Sequence, residues 1–189
     1  MLGPREQGVL GRAIGRCQAR FLATLLHGIA RQGLSLDIAY AHARDALQSR
    51  SGAGECLTAI DTAYHLARSG GPDAHCVHKL GPGHTALGAL AGAVYFAFGA
   101  LYKQQLWVSL QNAVAASGDD HSTTTVVGAL LGAMYGIDAI PAGWRDGLEP
   151  GVEIETLATD LYWIDSMPNV PVDRLFGRRY PRLVGQHAD

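Results

Sequence analysis

Ser117-Gly118-Asp119-Asp120-His121-Ser122-Thr123-Thr124-Thr125 runs directly into Val126-Val127-Gly128-Ala129-Leu130-Leu131-Gly132-Ala133-Met134-Tyr135-Gly136. A glycine-led polar turn ahead of an uncharged, small-residue segment reads as a loop entering a helix, because Asp, Ser and Thr satisfy the free amides of a first helical turn. Asp119 and His121 are one residue apart, so both can turn toward one point with the Ser122 and Thr123 hydroxyls close by. Such a grouping can hold a cation. It can equally be a plain cap, with Asp119 or Ser122 bonding the first amides and the rest solvated, and spacing alone leaves both readings open. Gly128, Gly132 and Gly136 then fall at four-residue spacing. Each costs the helix up to about 1 kcal/mol relative to alanine, so the reading expects a neighbour's backbone to pack closely on this ridge. A membrane helix seam is the alternative.

Working outward, every well-patterned segment is helical. Phe21, Leu22, Leu25, Leu26 and Ile29 recur at helical spacing up to Gln32-Gly33, giving the first firm helix; residues 1–19 look peripheral. Ser35 caps a second, with Leu36, Ala39, Tyr40, Ala43 and Leu47 on one face. A third runs from about Glu55 to Ser69, its stripe Leu57, Ile60, Tyr64 and Ala67, with Asp61 and Arg68 facing away and Gly70-Gly71-Pro72 ending it. Residues 73–83 read as a loop. Helices are expected again at about 84–100, 103–116, 122–136 and 151–165, and no alternating β-branched run bounded by hairpin turns occurs. The predicted fold is all-α, one domain over 1–189 with 168–189 peripheral, its short connections favouring antiparallel neighbours.

The chain has 189 residues and a formal net charge of −2. That length buries an adequate core without disulfides, and the missing surplus of Lys and Arg argues against a phosphate-backbone binder, so nucleic acid is not an expected partner. Cys17, Cys56 and Cys76 form no CxxC pair, which fits a reducing cytoplasm better than a disulfide framework. Thr85 to Tyr102 is an uncharged run at the lower edge of a membrane span. Its Gly and Ala content reads better as a buried helix, so no membrane is expected.

The segment from Ser117 through Ile140-Pro141 and Trp144-Arg145-Asp146-Gly147-Leu148 resembles the metal-binding end of the ADP-ribosylglycohydrolase family. There a Gly-Gly-Asp-Thr-Asp-Thr motif precedes a Gly-Ala-Leu-x-Gly-Ala helix and an Ile-Pro turn. Here the motif falls on Ser117, Gly118, Asp119, Asp120, His121 and Ser122, and the helix on Gly128–Ala133. The likeness is firm for about 40 residues. It implies an orthogonal helical bundle and a hydrolase that frees ADP-ribose from a protein side chain or a small molecule. It also implies two Mg²⁺ ions, with Asp119, His121 and Ser122 at the positions of metal ligands.

Two departures matter. His121 replaces the family's second carboxylate, and a neutral imidazole suits Zn or Mn better than the hard, oxygen-seeking Mg²⁺, so one ion or a transition metal is the alternative. No Thr-Asp-Asp triplet, which supplies the family's remaining ligands, occurs in the sequence. The expectation is a chain lacking the family's N-terminal portion, acting with a missing half or as a homo-oligomer, or else a silent relative that binds ADP-ribose or a partner subunit. Asp120 is the candidate to orient water. Gly81, Gly83 and His84, with Gly118, are candidates for substrate contact through backbone amides at a helix start.

Three further groups stand apart from the motif. His75, Cys76, His78 and His84 cluster in one loop, either as exposed histidines or as transition-metal donors. Trp144, Tyr162 and Trp163 read as residues that finish a core. Arg174, Arg178, Arg179 and Arg182 make a basic tail, read as a solvated face.

Overall fold

The computed structural model describes residues 4–70, 74–83, 85–103, 106–117 and 121–166. Nine α-helices are found among the described residues: α1 (Pro4–Gln32), α2 (Leu36–Gln48), α3 (Ala53–Ser69), α4 (Ala74–Val77), α5 (Ala86–Lys103), α6 (Leu106–Ser117), α7 (Ser122–Tyr135), α8 (Ala142–Asp146) and α9 (Gly151–Ser166). Short 3₁₀ turns cover His78–Leu80 and Ile137–Ala139, and no strand occurs among these residues. The all-α expectation holds. The chain divides into two compact units, Met1–Ala139 and Ile140–Asp189.

In the first unit, α5 is the axis. Every residue from Gly88 to Ala100 is buried, and α1, α3, α6 and α7 all touch this helix. A helix covered on all sides needs no polar face, which is why the uncharged run from Thr85 to Tyr102 exists. By length and composition it is the one described helix apolar enough to cross a bilayer, yet 72% of its span is buried inside the protein.

The helices around α5 start and stop for local reasons. α1 ends on Gly33, whose φ of +65° lets the Leu34 amide reach back to the Gly28 carbonyl at 3.0 Å. α2 starts at Ser35, whose hydroxyl accepts from the Ile38 amide, and buries the five residues its sequence stripe names. A Cβ at Gly28 would lie 3.1 Å from the Ala39 Cβ, so α1 and α2 cross closely there.

Three sequence expectations change. α1 begins at Pro4 rather than near Phe21. The Leu10, Ile14, Cys17, Phe21, Leu25 spacing is already helical, and proline is well tolerated in a first turn. Residues 74–80 are a short helix and a 3₁₀ turn, not a loop. Asp61 does not face away. It accepts from Tyr40 at 2.6 Å and from Arg44 at 2.9 Å, tying α3 to α2. Burial alone would raise its pKa, but the bonds from Arg44 and Tyr40 prevail and hold the carboxyl below its ordinary value. Beside this clamp Tyr40 stacks on Tyr64 at 4.8 Å, and Phe98 of α5 meets both rings edge-on. Arg68 is exposed, as expected, and there donates to the Tyr64 hydroxyl and lies over the Tyr102 ring.

The second unit is described through α8 and α9. Val152 is 77% exposed, and Trp144, Tyr162 and Trp163 are each about half exposed. The expectation that these aromatics complete a core is therefore not met. The arginine tail lies outside the described residues.

Candidate functional site

Helix α7 buries Thr123, Val127, Leu130 and Leu131, an i, i+4, i+7, i+8 stripe that faces the core. Thr123 sits at the helix entrance and joins the two turns that the sequence marks for chemistry. A Cβ at Gly83 would lie 3.4 Å from its Oγ1, and one at Gly92 would lie 3.0 Å from its Cγ2. The turn at Gly81–Gly83 and the first turn of α7 are thus neighbours through one small buried side chain.

The expected glycine ridge is overturned. Among the described residues nothing lies within 4 Å of a Cβ built at Gly128 or Gly132. Both positions sit off the buried stripe. Gly136 has a separate reason for its identity: it terminates α7 with φ of +74°, its amide bonded to the Gly132 carbonyl at 2.9 Å.

Of the candidate metal donors, His121 immediately precedes α7 and is exposed. Its carbonyl accepts from the amide and the hydroxyl of Thr125, both at 2.9 Å. Ser122 is exposed and is the first helical residue, so it is not the cap. Gly118, Asp119, Asp120 and His84 lie outside the described residues. No group of three or more His, Cys, Asp or Glu side chains is placed to hold a metal among the described residues. That includes Cys76; the side chains of His75 and His78 are likewise outside them.

The other turn is better defined. Gly81 takes φ of +102°, a left-handed backbone that suits glycine. Thr85 caps α5, its hydroxyl accepting from the Gly88 amide at 3.0 Å and donating to the Pro82 carbonyl at 2.8 Å. A Cβ at Gly88 would overlap the Pro82 carbonyl oxygen, so only glycine permits this approach. The Ala86 and Leu87 amides, also in the first turn, have no partner among the described residues.

Against this turn lies a cavity of about 570 Å³, in the range of small-molecule sites. Gly81, Thr85 and Gly88 line it, together with Gln18 of α1 and Glu55 of α3. Sequence reasoning missed Gln18 and Glu55. The available signal was a polar residue beside Cys17 on the extended stripe of α1, where an apolar one is expected. His121, Ser122 and Thr123 are not among the lining residues.

A family model described as ADP-ribosylglycohydrolase matches residues 11–169. The chain belongs to the ADP-ribosylglycohydrolase family. It is also 30% identical over 106 residues to ADP-ribosylhydrolase ARH3 of Danio rerio, a match covering 52% of this chain and 29% of that protein. The chain thus spans under a third of that relative's length. No solved structure matches significantly. The family match, unlike the motif alone, reaches well into α1.

Proposed function

We propose that the chain forms an ADP-ribosylglycohydrolase-like, metal-dependent hydrolytic site acting on the glycosidic link between ADP-ribose and a protein side chain or small molecule. The observation that carries this reading is the family match from residue 11 to 169, within which the Ser117–Thr125 motif keeps Asp119 and Ser122. The packing of Thr123 against Gly83 and Gly92 supports it, since it brings the motif's helix beside a second glycine turn.

The motif departs from a two-Mg²⁺ centre at His121, which stands in place of a carboxylate. It offers the adjacent carboxylates of Asp119 and Asp120, a hydroxyl and an imidazole, and among the described residues, which do not include the two aspartates, no further acidic cluster is placed to hold a metal. Asp119, Ser122 and His121 fit a single divalent ion, with the imidazole shifting preference toward Zn or Mn. No step is derived through that ion. In the reaction itself, water adds to the anomeric carbon as the glycosidic bond breaks, and the leaving atom takes up a proton. Asp120 is assigned to orient that water, and negative charge near the anomeric carbon stabilises the oxocarbenium-like state.

His121 in place of the second carboxylate favours a second reading, a relative that binds ADP-ribose or a partner subunit without hydrolysis. Calorimetry with Mn²⁺ and then ADP-ribose, followed by an assay for ADP-ribose release from a modified protein, separates the two. The hydrolase reading expects metal-dependent binding lost in Asp119→Ala, together with turnover. Binding without turnover supports the silent relative. Metal affinity unchanged in Asp119→Ala overturns the assignment of the site.

A further inference from the structure

The second unit presents one apolar helix face to solvent. In α9, Ile154, Leu157 and Leu161 recur at i, i+3 and i+7, which puts them within an arc of roughly 60° on one side of the helix. They are 50%, 45% and 57% exposed, whereas Asp160, about a quarter turn away, is buried. Single exposed leucines are ordinary, but a contiguous row of them marks a surface that meets something. The charge around the row is one-sided. From Asp146 to Ser166 the sequence carries Asp146, Glu149, Glu153, Glu155, Asp160 and Asp165 and no Lys or Arg, although the whole chain has a net charge of only −2. Glu153 and Glu155 bracket Ile154, and both are exposed.

Shape and charge together limit the occupant. A ridge at i, i+3 and i+7 fits the groove between the ridges of another helix, over about 10 Å from Ile154 to Leu161. A second copy of α9, in either orientation, offers only acidic side chains to Glu153 and Glu155. Anionic lipid headgroups and nucleic-acid phosphates are repelled for the same reason. A helix that carries basic residues beside an apolar stripe answers both demands. We propose that the Ile154, Leu157 and Leu161 face of α9 docks a basic amphipathic helix of a partner protein. The partner's apolar anchors lie along the stripe, and its Arg or Lys side chains reach Glu153 and Glu155. This surface uses none of Asp119, His121 or Ser122, and it stands independently of the hydrolase reading.

The test titrates the full chain by calorimetry with a capped peptide made of two copies of Ala-Leu-Arg-Arg-Leu-Ala-Arg. One control peptide has Glu at every Arg position, and another has Ser at every Leu position. The basic, leucine-bearing peptide is expected to bind with a Kd on the order of 10 μM in dilute salt, and each control at least about tenfold more weakly. Leu157→Ser and Leu161→Ser, at exposed positions where helicity should be unchanged, are each expected to weaken the basic peptide about tenfold. Glu153→Gln combined with Glu155→Gln should weaken it and flatten its salt dependence, and Asp119→Ala should have no effect. Equal affinity for the Arg and Glu peptides would mean unspecific apolar adhesion and overturn the proposal. So would no binding at roughly 200 μM peptide, or binding that the α9 variants leave unchanged. A chain dimer in sedimentation that Leu161→Ser dissociates would assign the face to a second copy instead. Binding gained only after Arg174, Arg178, Arg179 and Arg182 are changed to Ser would assign it to the chain's own basic segment, which equally overturns a partner helix.

Discussion

Helix α5 carries glycines at 88 and 92 and helix α7 carries them at 128 and 132, the same four-residue step in two apolar helices. Their surroundings differ completely. At 88 and 92 an added methyl would strike the Pro82 carbonyl or press on Thr123 and Val77, whereas at 128 and 132 it would meet nothing within 4 Å among the described residues. The step itself carries no packing information; what decides is whether the glycines share the buried face. α5 is buried all round, so its glycines are forced to be contacts. α7 has a single buried stripe, and its glycines lie beside it.

The sharpest break of that comparison is Gly88→Ala. Its methyl has no flexible neighbour to displace, because the obstacle is backbone held by the Thr85 cap. Stability should fall by about 3 kcal/mol, read as a lower urea midpoint at constant slope. Gly92→Ala is milder. The methyl would sit 3.0 Å from Thr123 Cγ2 and 3.1 Å from Val77 Cγ2, side-chain atoms able to give a few tenths of an ångström. A loss of about 1–2 kcal/mol is expected. Because Thr123 is what yields, the same variant should move resonances at the entrance of α7.

A polar control on another flank of the α5 core sharpens the comparison further. Asp61→Asn removes the charge that receives Tyr40 and Arg44. About 1–2 kcal/mol should be lost at neutral pH, discounted for partial solvent exposure. Because the folded carboxyl titrates below its ordinary value of 3.8, its stabilisation is complete above that value and disappears as pH falls through the folded one. The wild-type advantage over Asp61→Asn should therefore shrink only in acid. A difference that persists unchanged below that window would place the interaction in packing, not charge.

What the sequence made legible follows the same logic. The cap at Ser35 and the five-residue stripe of α2 are local patterns, and they hold residue for residue. The extents of α5, α6, α7 and α9 fall within a few residues of expectation because glycine, proline and polar breaks bound them. Reading failed where a partner distant in sequence decides the outcome. Asp61 looks like a solvent-facing residue until α2 brings Tyr40 and Arg44 to it. Gln18 looks like an ordinary helix residue until the Gly81 turn closes a cavity over it. Thr123 reads in sequence only as one hydroxyl near a polar turn, and its buried contact with Gly83 and Gly92 depends on the crossing of α5 and α7. The motif residues Asp119 and Asp120 were legible through resemblance, which supplies roles and not positions.

The smallest effect completes the comparison. Gly128→Ala adds a methyl where no described residue lies within 4 Å, so the folded helix accepts it without strain. Alanine also narrows the unfolded chain's conformational freedom, and an exposed mid-helix glycine costs about 0.5–1 kcal/mol relative to alanine. Gly128→Ala should therefore stabilise by about that amount, opposite in sign to Gly92→Ala four residues into the other helix's contact face. A destabilisation instead would mean that a neighbour does cover this face in solution. In that case the small-residue ridge read from the sequence would regain its packing role, with the occupant a segment or second copy packed on α7.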